Sequence, residues 1–436
     1  MQIKFAFALI FSLLLTACAD GTSPDGVNGD QQPVDNTYIN TGEVYTPVDA
    51  YDYVNYLRQT AGLTTVDKNL LLQDSANNHA NYLMSNNITG HDETSGLAGF
   101  TGEQPADRAN YAGYLSRSVG EGIATQSSYQ AAIDGLFSAI YHRFTLLDFA
   151  YDEIGISFIE SGSSATNGIL VHNMGNSLKN DLCSGNSFTG AGTYYYDVCA
   201  NSSFRIEATQ FDNADLTNEN QNPLLTVWPP ANSVDIPPVF FDETPDPLPD
   251  YSVSGYPVSL QFNPASVSSV VINSIYLYQD ASNNVITETR MLDQNSDPNA
   301  RFSKLEFAMF PLQRLDWNTK YRVNIEYVVN GGSPVTKQWT FTTRKPADNI
   351  LKISSGTSSF SIPANVATAV YIPPAGPTDR ITSLSYSYPQ NVTFTSEFID
   401  ANTLLISVSG SPGQQVTIKL TSGDTTATRN LVATIQ

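Results

Sequence analysis

The side chains best suited to acid–base or metal chemistry in this chain are its four histidines. An imidazole titrates near neutral pH, where it can transfer a proton, and its unprotonated nitrogen can bind a metal ion. All four lie in the N-terminal half of the 436-residue sequence, at His79, His91, His142 and His172. Any imidazole chemistry is therefore confined to that half.

Three short motifs place a histidine or a glutamate beside glycine or charged neighbours. The sequence contains no GxSxG, GxxxxGK[ST], HExxH or CxxC motif, so the usual templates for serine hydrolases, P-loop proteins, zinc proteases and thiol redox centres are absent. The motifs that remain as candidate site segments are Gly90–Glu93, Val119–Ile123 and Tyr141–Arg143.

Hydrophobic periodicity predicts the elements that must position these motifs. The spacing of apolar residues predicts three helices and then two short strands, at about 50–61, 67–83, 127–147, 153–158 and 169–174. The second helix carries His79 on its apolar face, and the third carries His142 close to its end. From about residue 194 the pattern changes to strands separated by turn residues. The expected fold class is therefore multidomain α+β.

Eight short motifs follow one another in a fixed order: Asn55–Arg58, Ala76 with His79 before Tyr82–Leu83, Gly90–His91, Asp107–Arg108, Gly113–Tyr114, Gly120–Ile123, His142–Arg143 and Glu153–Ile156. This order resembles the CAP (SCP/PR-1-like) superfamily in its short bacterial form. The resemblance spans residues 48 to about 176 and rests on the combination of motifs rather than on any single one. It implies an α-β-α sandwich for this part of the chain.

In that family the fold holds a cleft lined by two histidines and two acidic residues. Carried over by motif, the resemblance implies that His91 and His142 are the histidines and that Glu121 is one acid. The second acid usually belongs to the third helix, where this chain has Gly135–Ser138 and no glutamate. Glu93 could replace it, although its position does not match that of the family.

Two chemical interpretations of this set stay open. His91, His142 and Glu121 are three ligands of the kind that Zn²⁺ or another divalent metal accepts, with a fourth place for a water that could attack a carbonyl. Alternatively, the His–Glu pairs are hydrogen bonds in a polar cleft without a permanent metal. His79 is counted among the cleft residues, but a packed, hydrogen-bonded role is expected for it. A structural role is also expected for His172.

The first residues resemble the export signal of a bacterial lipoprotein. The apolar run Phe5–Leu15 is too short to span a bilayer and suits a signal-peptide core. It ends in Leu15–Cys18, which resembles the lipobox, where the signal is cut before Cys18 and the cysteine is lipidated. Residues 1–17 are then a signal peptide, and Ala19 favours the outer membrane if the organism is Gram-negative. An ordinary secretory signal is the alternative.

The two other cysteines are expected to form a disulfide. Cys183 and Cys199 lie 16 positions apart, and cysteines in an oxidising compartment usually pair, although two buried thiols remain the alternative. The predicted domain order is a flexible tether, a CAP/SCP-like domain, a β extension with the disulfide, an Ig-like β domain and a C-terminal β-sandwich, at 18–44, 45–178, 179–235, 236–344 and 350–436.

Within the predicted Ig-like domain, the resemblance to bacterial Ig-like modules rests on Tyr256–Phe262 and Trp339–Thr343. The proline-rich segment 236–251 precedes these strands and is interpreted as a stiff linker or an edge strand.

The resemblance to the CAP superfamily implies a binding function outside the cytosol, and the charge of the chain excludes one class of partner. Lys+Arg 21 against Asp+Glu 42 gives 21 − 42 = −21, which argues against nucleic acid as a partner because phosphate binding needs clustered basic residues. The leading hypothesis is a membrane-anchored envelope protein whose cleft binds a ligand or partner. The alternatives are a metal-dependent hydrolase at the same cleft and a surface adhesion or display protein that acts through its β domains.

Overall fold

The computed structural model describes residues 44–160, 167–240, 243–354, 356–423 and 428–436. The predicted signal peptide, Cys18 and all but the last residue of the predicted tether lie outside the described residues. Within the described ranges, no helix combines the length and the apolar character that crossing a membrane requires.

The N-terminal domain is a four-stranded sheet between two layers of helices. Its helices are α1 Ala50–Thr60, α2 Leu70–Asn86, α3 Pro105–Tyr111, α4 Tyr129–Ser138 and α5 Ile140–Leu146. Its strands are β1 Asp67–Lys68, β2 Gly120–Gln126, β3 Glu153–Ile159 and β4 Gly168–Gly175. The strand order is β1-β3-β4-β2, so that β2 is an edge strand.

Alternating side chains of β4 face the two helical layers. Val171 packs with Ala76 of α2, whereas Leu170 and Met174 belong to the core that includes Leu136 of α4. Successive side chains of a strand point to opposite faces, so the sheet has α2 on one side and α4 on the other. The α-β-α sandwich and the multidomain α+β class are confirmed.

The third predicted helix is two helices in the structure. Ala139 has an extended backbone (ψ 118°) and separates α4 from α5. Ser128 caps the start of α4 by accepting a hydrogen bond from Ala131 N, whereas Ala139 has no side-chain acceptor to offer the first N–H groups of α5. The acceptor for the first N–H groups of α5 comes from another part of the chain. The spacing of apolar residues carries no information about such a distant contact, so it did not reveal the break between α4 and α5.

Residues 179–235, which follow the α-β-α sandwich, were predicted to be a β extension. This prediction is wrong for most of the segment. It contains helices α6 Ser177–Ser184 and α7 Ala208–Glu219 and the two short strands β5 Tyr194–Tyr195 and β6 Ile206–Glu207. The sequence of α7 is largely polar, so it lacks the apolar stripe by which helices are recognised. The disulfide Cys183–Cys199 is confirmed, with 5.4 Å between the Cα atoms.

A nine-stranded sandwich follows, here called the middle module (225–343). Its strands are β7 Leu225–Trp228, β8 Ser233–Ile236, β9 Val258–Phe262, β10 Val270–Gln279, β11 Asn284–Val285, β12 Thr289–Leu292, β13 Glu306–Pro311, β14 Lys320–Val329 and β15 Val335–Thr343. They form the sheets β11-β10-β14-β15-β8 and β12-β13-β9-β7, which share one core. Strands β7 and β8 start before residue 236, where the Ig-like domain was predicted to begin. The Ig-like assignment itself stays a prediction.

The last part of the chain is a second sandwich, here called the C-terminal module (349–436). Its strands are β16 Asn349–Lys352, β17 Ser359–Ile362, β18 Thr368–Tyr371, β19 Ile381–Ser387, β20 Thr393–Asp400, β21 Thr403–Ser409, β22 Gln415–Ser422 and β23 Thr428–Ile435. The sheets β16-β18-β21-β20 and β17-β23-β22-β19 enclose a hydrophobic core of their own, which is mostly aliphatic.

The N-terminal domain and the middle module share a continuous hydrophobic core. The rings of Phe137 in α4 and Trp228 in β7 lie 4.6 Å apart between centroids. At the same junction, the fully buried guanidinium of Arg143 donates to Pro257 O at 2.8 Å and to Ser259 Oγ at 3.0 Å. Neither part could be separated from the other without exposing apolar surface and leaving a buried charge without hydrogen bonds.

Candidate functional site

His91 and Glu121 form the first His–Glu pair of the site. His91 lies in the loop after α2, and Glu121 lies on the edge strand β2, facing α2. His91 Nδ1 is 2.9 Å from Glu121 Oε1. The imidazole is 43% exposed, whereas the carboxylate is 1% exposed. A buried carboxylate therefore holds an imidazole that solvent or a ligand can reach.

Two further side chains fix the carboxylate of Glu121. Arg108 Nη2 donates to both carboxylate oxygens, at 2.8 Å and 2.7 Å. The buried amide of Asn173 donates to Oε2 at 3.2 Å when its nitrogen faces Glu121 and its oxygen faces Ser75. Burial acts to raise the pKa of Glu121, but the hydrogen bond from His91 and the charge of Arg108 outweigh it and lower that pKa. Glu121 is therefore a carboxylate at neutral pH.

His79 and Glu93 form a second pair that lies behind the site and does not line it. Their side chains are fully buried, with His79 Nδ1 2.9 Å from Glu93 Oε1. His79 Nε2 donates to Gly90 O at 3.1 Å, and Thr101 N donates to Glu93 Oε2 at 2.6 Å. The pair therefore holds the loop that carries His91. The packed role expected for His79 matches these contacts, whereas its assignment, and that of Glu93, as cleft residues is wrong.

His142 has a carboxylate partner that the sequence analysis missed. His142 Nδ1 is 3.2 Å from Glu243 Oε2, and Glu243 also accepts from Ile140 N at 2.5 Å and Tyr141 N at 3.2 Å. Glu243 thus caps the start of α5, where Ala139 cannot. Burial raises the pKa of Glu243, and the hydrogen bond from His142 offsets this in part.

Glu243, and not Glu93, is therefore the second acid. It belongs to the proline-rich segment 236–251, which was interpreted as a linker or an edge strand. A single glutamate in such a segment carries no sequence signal, since its role depends on a contact with a helix about one hundred positions away.

The exposed imidazole of His91 and the largely buried imidazole of His142 both line an open groove of about 460 Å³, here called the histidine groove. The rings of His91 and His142 are stacked, with 6.2 Å between centroids and 22° between planes. Their Nδ1 atoms face carboxylates, so each Nε2 is the nitrogen that can bond to a ligand. The groove is lined by Thr89, Gly90, His91, Ile123, Ala124, Thr125, Gln126, Gly135, Leu136, Ala139, His142, Glu243 and Thr244.

His172 is buried beside the site and does not line the groove. It lies on β4 opposite Gly122 of β2, and a Cβ at Gly122 would come within 2.2 Å of His172 Nε2. Neither ring nitrogen has a hydrogen-bond partner among the described residues. Burial, together with the charges of His142 and His91, lowers the pKa of His172 to about 3. The ring is therefore neutral, as suits the structural role expected for it.

The residues present do not fit the predicted metal site. Across the described ranges, no group of three or more His, Cys, Asp or Glu side chains is arranged to hold a metal ion. Arg108 already bonds both oxygens of Glu121, so a cation occupies the position that a metal would need. The ligand set of His91, Glu121 and His142 is thus a correction to the sequence analysis: the three residues converge, but as two separate His–carboxylate pairs.

Comparison with known proteins identifies the family that the N-terminal domain resembles. Residues 51–173 match the model of the cysteine-rich secretory protein family, CAP. No curated protein gives a significant match.

Solved structures that are similar to the chain include an outer surface protein from Borrelia burgdorferi. It is 19% identical with a TM-score of 0.25, and the match covers 29% of this chain and 87% of that one. An extracellular protein containing an SCP domain from Bacillus anthracis is 24% identical with a TM-score of 0.24. That match covers 29% of this chain and 38% of the Bacillus protein.

Proposed function

Residues 51–173 form a CAP domain, and we propose that the chain uses it outside the cytosol to bind a ligand or a partner in the histidine groove. The groove is open, and it is lined by both apolar and polar side chains, among them two imidazoles. Binding sites in proteins commonly combine a largely apolar concave surface with a few fixed polar groups, and this groove has that composition.

The observation that carries this proposal is the pairing of each groove histidine with its own buried carboxylate. Glu121 fixes His91 and Glu243 fixes His142, both through Nδ1, so the two Nε2 atoms are oriented before a ligand arrives. When polar groups are oriented before the ligand binds, the loss of conformational entropy on binding is smaller. A polar network with only a packing role would have no need to leave an imidazole 43% exposed.

We further propose that the chain is anchored to the cell envelope through Cys18. The lipobox-like Leu15–Cys18 supports the anchor, and the Cys183–Cys199 disulfide supports an oxidising compartment. Several acyl chains on one cysteine would hold the protein stably, because each buried CH₂ contributes about 0.8 kcal/mol. Ala19 favours the outer membrane if the organism is Gram-negative.

Native mass spectrometry of the exported 45–436 fragment tests the binding function. We expect the wild-type fragment to carry a co-purifying bound ligand. His91→Ala removes one Nε2, and Glu243→Gln weakens the fixation of His142, so both variants should lose most of the bound mass. Tyr276→Ala, which changes an exposed ring on β10, is the matched control and should keep it. Equal bound mass in all four proteins, or none in the wild type, would contradict the proposal.

A further inference from the structure

A second groove adjoins the histidine groove. This outer groove has a volume of about 670 Å³ and lies where the proline-rich segment meets the C-terminal module. Gln126, at the end of β2, lines both grooves. The proline-rich segment also borders both, with Glu243 and Thr244 in the first and Asp246 and Tyr251 in the second. The two grooves therefore share a wall and open next to each other.

The proline-rich wall is held at several points along its length. Glu243 bonds the start of α5 at one end, and Ser252 N donates to Pro377 O of the C-terminal module at 2.8 Å at the other. Between them, Arg290 makes two hydrogen bonds to Asp250, at 2.6 Å and 2.7 Å, and its guanidinium lies 5.4 Å from the ring centroid of Tyr251. The Tyr251 ring is thus fixed in place at the edge of the groove.

The opposite wall belongs to the C-terminal module, and a buried arginine attaches that module to the middle module. Arg314 lies between two aromatic rings, 4.5 Å from the centroid of Trp317 and 4.4 Å from that of Tyr371. It also forms a buried salt bridge with Asp400, which lines the outer groove. An arginine fixed by two rings and a carboxylate leaves the two modules little freedom to move apart. Both walls are therefore built before a ligand binds.

The lining of the outer groove suits a neutral sugar polymer. The 40% exposed ring of Phe398 offers a face for stacking, and the part-buried ring of Tyr251 lines the same groove. Thr382 and Asp246 supply groups that bond hydroxyls. The lining of the two grooves contains the carboxylates Glu243, Asp246 and Asp400 against one basic side chain, Arg380. This excess of carboxylates and the net charge of −21 oppose a polyanion. The polar lining and open shape do not fit an acyl chain, which needs an enclosed apolar cavity.

We propose that the histidine groove and the outer groove form one continuous site for a neutral polysaccharide chain. This inference rests on the proposed function, because it assigns a ligand class to the same histidine groove. It adds that the middle and C-terminal modules take part in binding. We infer a polymer because only a long ligand can contact both grooves at once. A small ligand would fill one groove and leave the other empty, although the walls of both are held in place.

Isothermal titration calorimetry with neutral hexose oligomers of several linkage types tests the proposal, using the 45–436 fragment. For at least one linkage type, an octasaccharide should bind at least ~10-fold more tightly than the corresponding disaccharide, since it contacts both grooves. Tyr251→Ala and Phe398→Ala should each weaken octasaccharide binding by about 10-fold. Phe398→Ala removes an exposed ring and should leave thermal unfolding unchanged, so that its weaker binding cannot be caused by loss of the fold. Tyr276→Ala, an exposed ring outside both grooves, should bind as the wild type does.

The variants distinguish failure of this inference from failure of the proposed function. If no oligomer binds, or if Tyr251→Ala and Phe398→Ala bind normally, the continuous site is rejected. A ligand seen by native mass spectrometry that depends on His91 but not on Tyr251 would still support the proposed function. If octasaccharide binding depends on Tyr251 but not on His91, the outer groove acts alone, and the continuous site is again rejected.

Discussion

Glu243 Oε2 lies 3.2 Å from His142 Nδ1, although the two residues are 101 positions apart in the chain. One carboxylate therefore orients a groove histidine and also caps the start of α5. The CAP domain obtains this group from the segment that runs through the middle module. The site is complete only when the N-terminal domain and the middle module are folded together.

Because Glu243 has two roles, we expect Glu243→Gln to lower the free energy of unfolding more than the loss of a surface charge does. A glutamine can accept only through its single oxygen, so at least one of its three present donors would lose its acceptor. We expect the free energy of unfolding to fall by about 1–3 kcal/mol. Urea unfolding measures this, with Glu103→Gln, which changes an exposed glutamate of the N-terminal domain, as control. Equal stability of the two variants would show that the cap contributes nothing.

Arg143 predicts that the N-terminal domain and the middle module unfold together. Its guanidinium is fully buried and donates to Phe137 O, Ser138 O, Pro257 O and Ser259 Oγ. Arg143→Met should lower the free energy of unfolding by about 3–5 kcal/mol, because several buried acceptors lose their donor.

Scanning calorimetry of Arg143→Met should also show a transition split in two where the wild type has one for these parts. Arg301→Met, which alters an exposed arginine, is the control and should leave the profile unchanged. A single transition at the wild-type temperature would contradict the role given to Arg143.

His172 predicts a loss of stability in acid. In the unfolded chain its imidazole titrates near the usual pKa of 6.5, whereas burial lowers the pKa of His172 to about 3 in the folded chain. Between these values the unfolded state binds one more proton, so stability falls as the pH falls, by up to ~1.4 kcal/mol per pH unit. His172→Leu should remove this contribution and give a flatter profile. Urea midpoints measured from neutral pH downward test this, and a wild-type slope in the variant would contradict it.

The membrane anchor is tested by Cys18→Ser in the full chain. Without the thiol no lipid can be attached, so nearly all of the protein should move from the membrane fraction to the soluble fraction. Cell fractionation followed by immunodetection measures the distribution. Cys183→Ser, which leaves the proposed lipidation site intact, should stay with the membrane. Membrane retention of Cys18→Ser equal to that of the wild type would mean that the first residues serve another purpose.

The parts of the fold and site that sequence could predict are those with local patterns. The motifs placed His91 after the second helix and His142 near the end of the third, and the apolar spacing predicted α1 and α2. Glu121 was placed outside the predicted helices and strands, whereas it lies on β2, a strand that the sequence analysis missed. The break at Ala139, by contrast, depends on a cap that comes from Glu243. Helix α7 was missed because its sequence is mostly polar. Arg108 bonds both carboxylate oxygens of Glu121, a contact that forms only in the folded chain, and this is why His91, Glu121 and His142 do not make the predicted metal site.

The most direct test of the account is photo-crosslinking from inside the histidine groove. A photoreactive residue at Thr125, which is exposed and lines the groove, should capture the bound molecule in the envelope of living cells. The same residue at Thr336, exposed on β15 of the middle module, should not. An adduct at position 125 that disappears when His91→Ala is added is the predicted result. No adduct at position 125, or the same adduct at both positions, would contradict the assignment of this groove as the binding site.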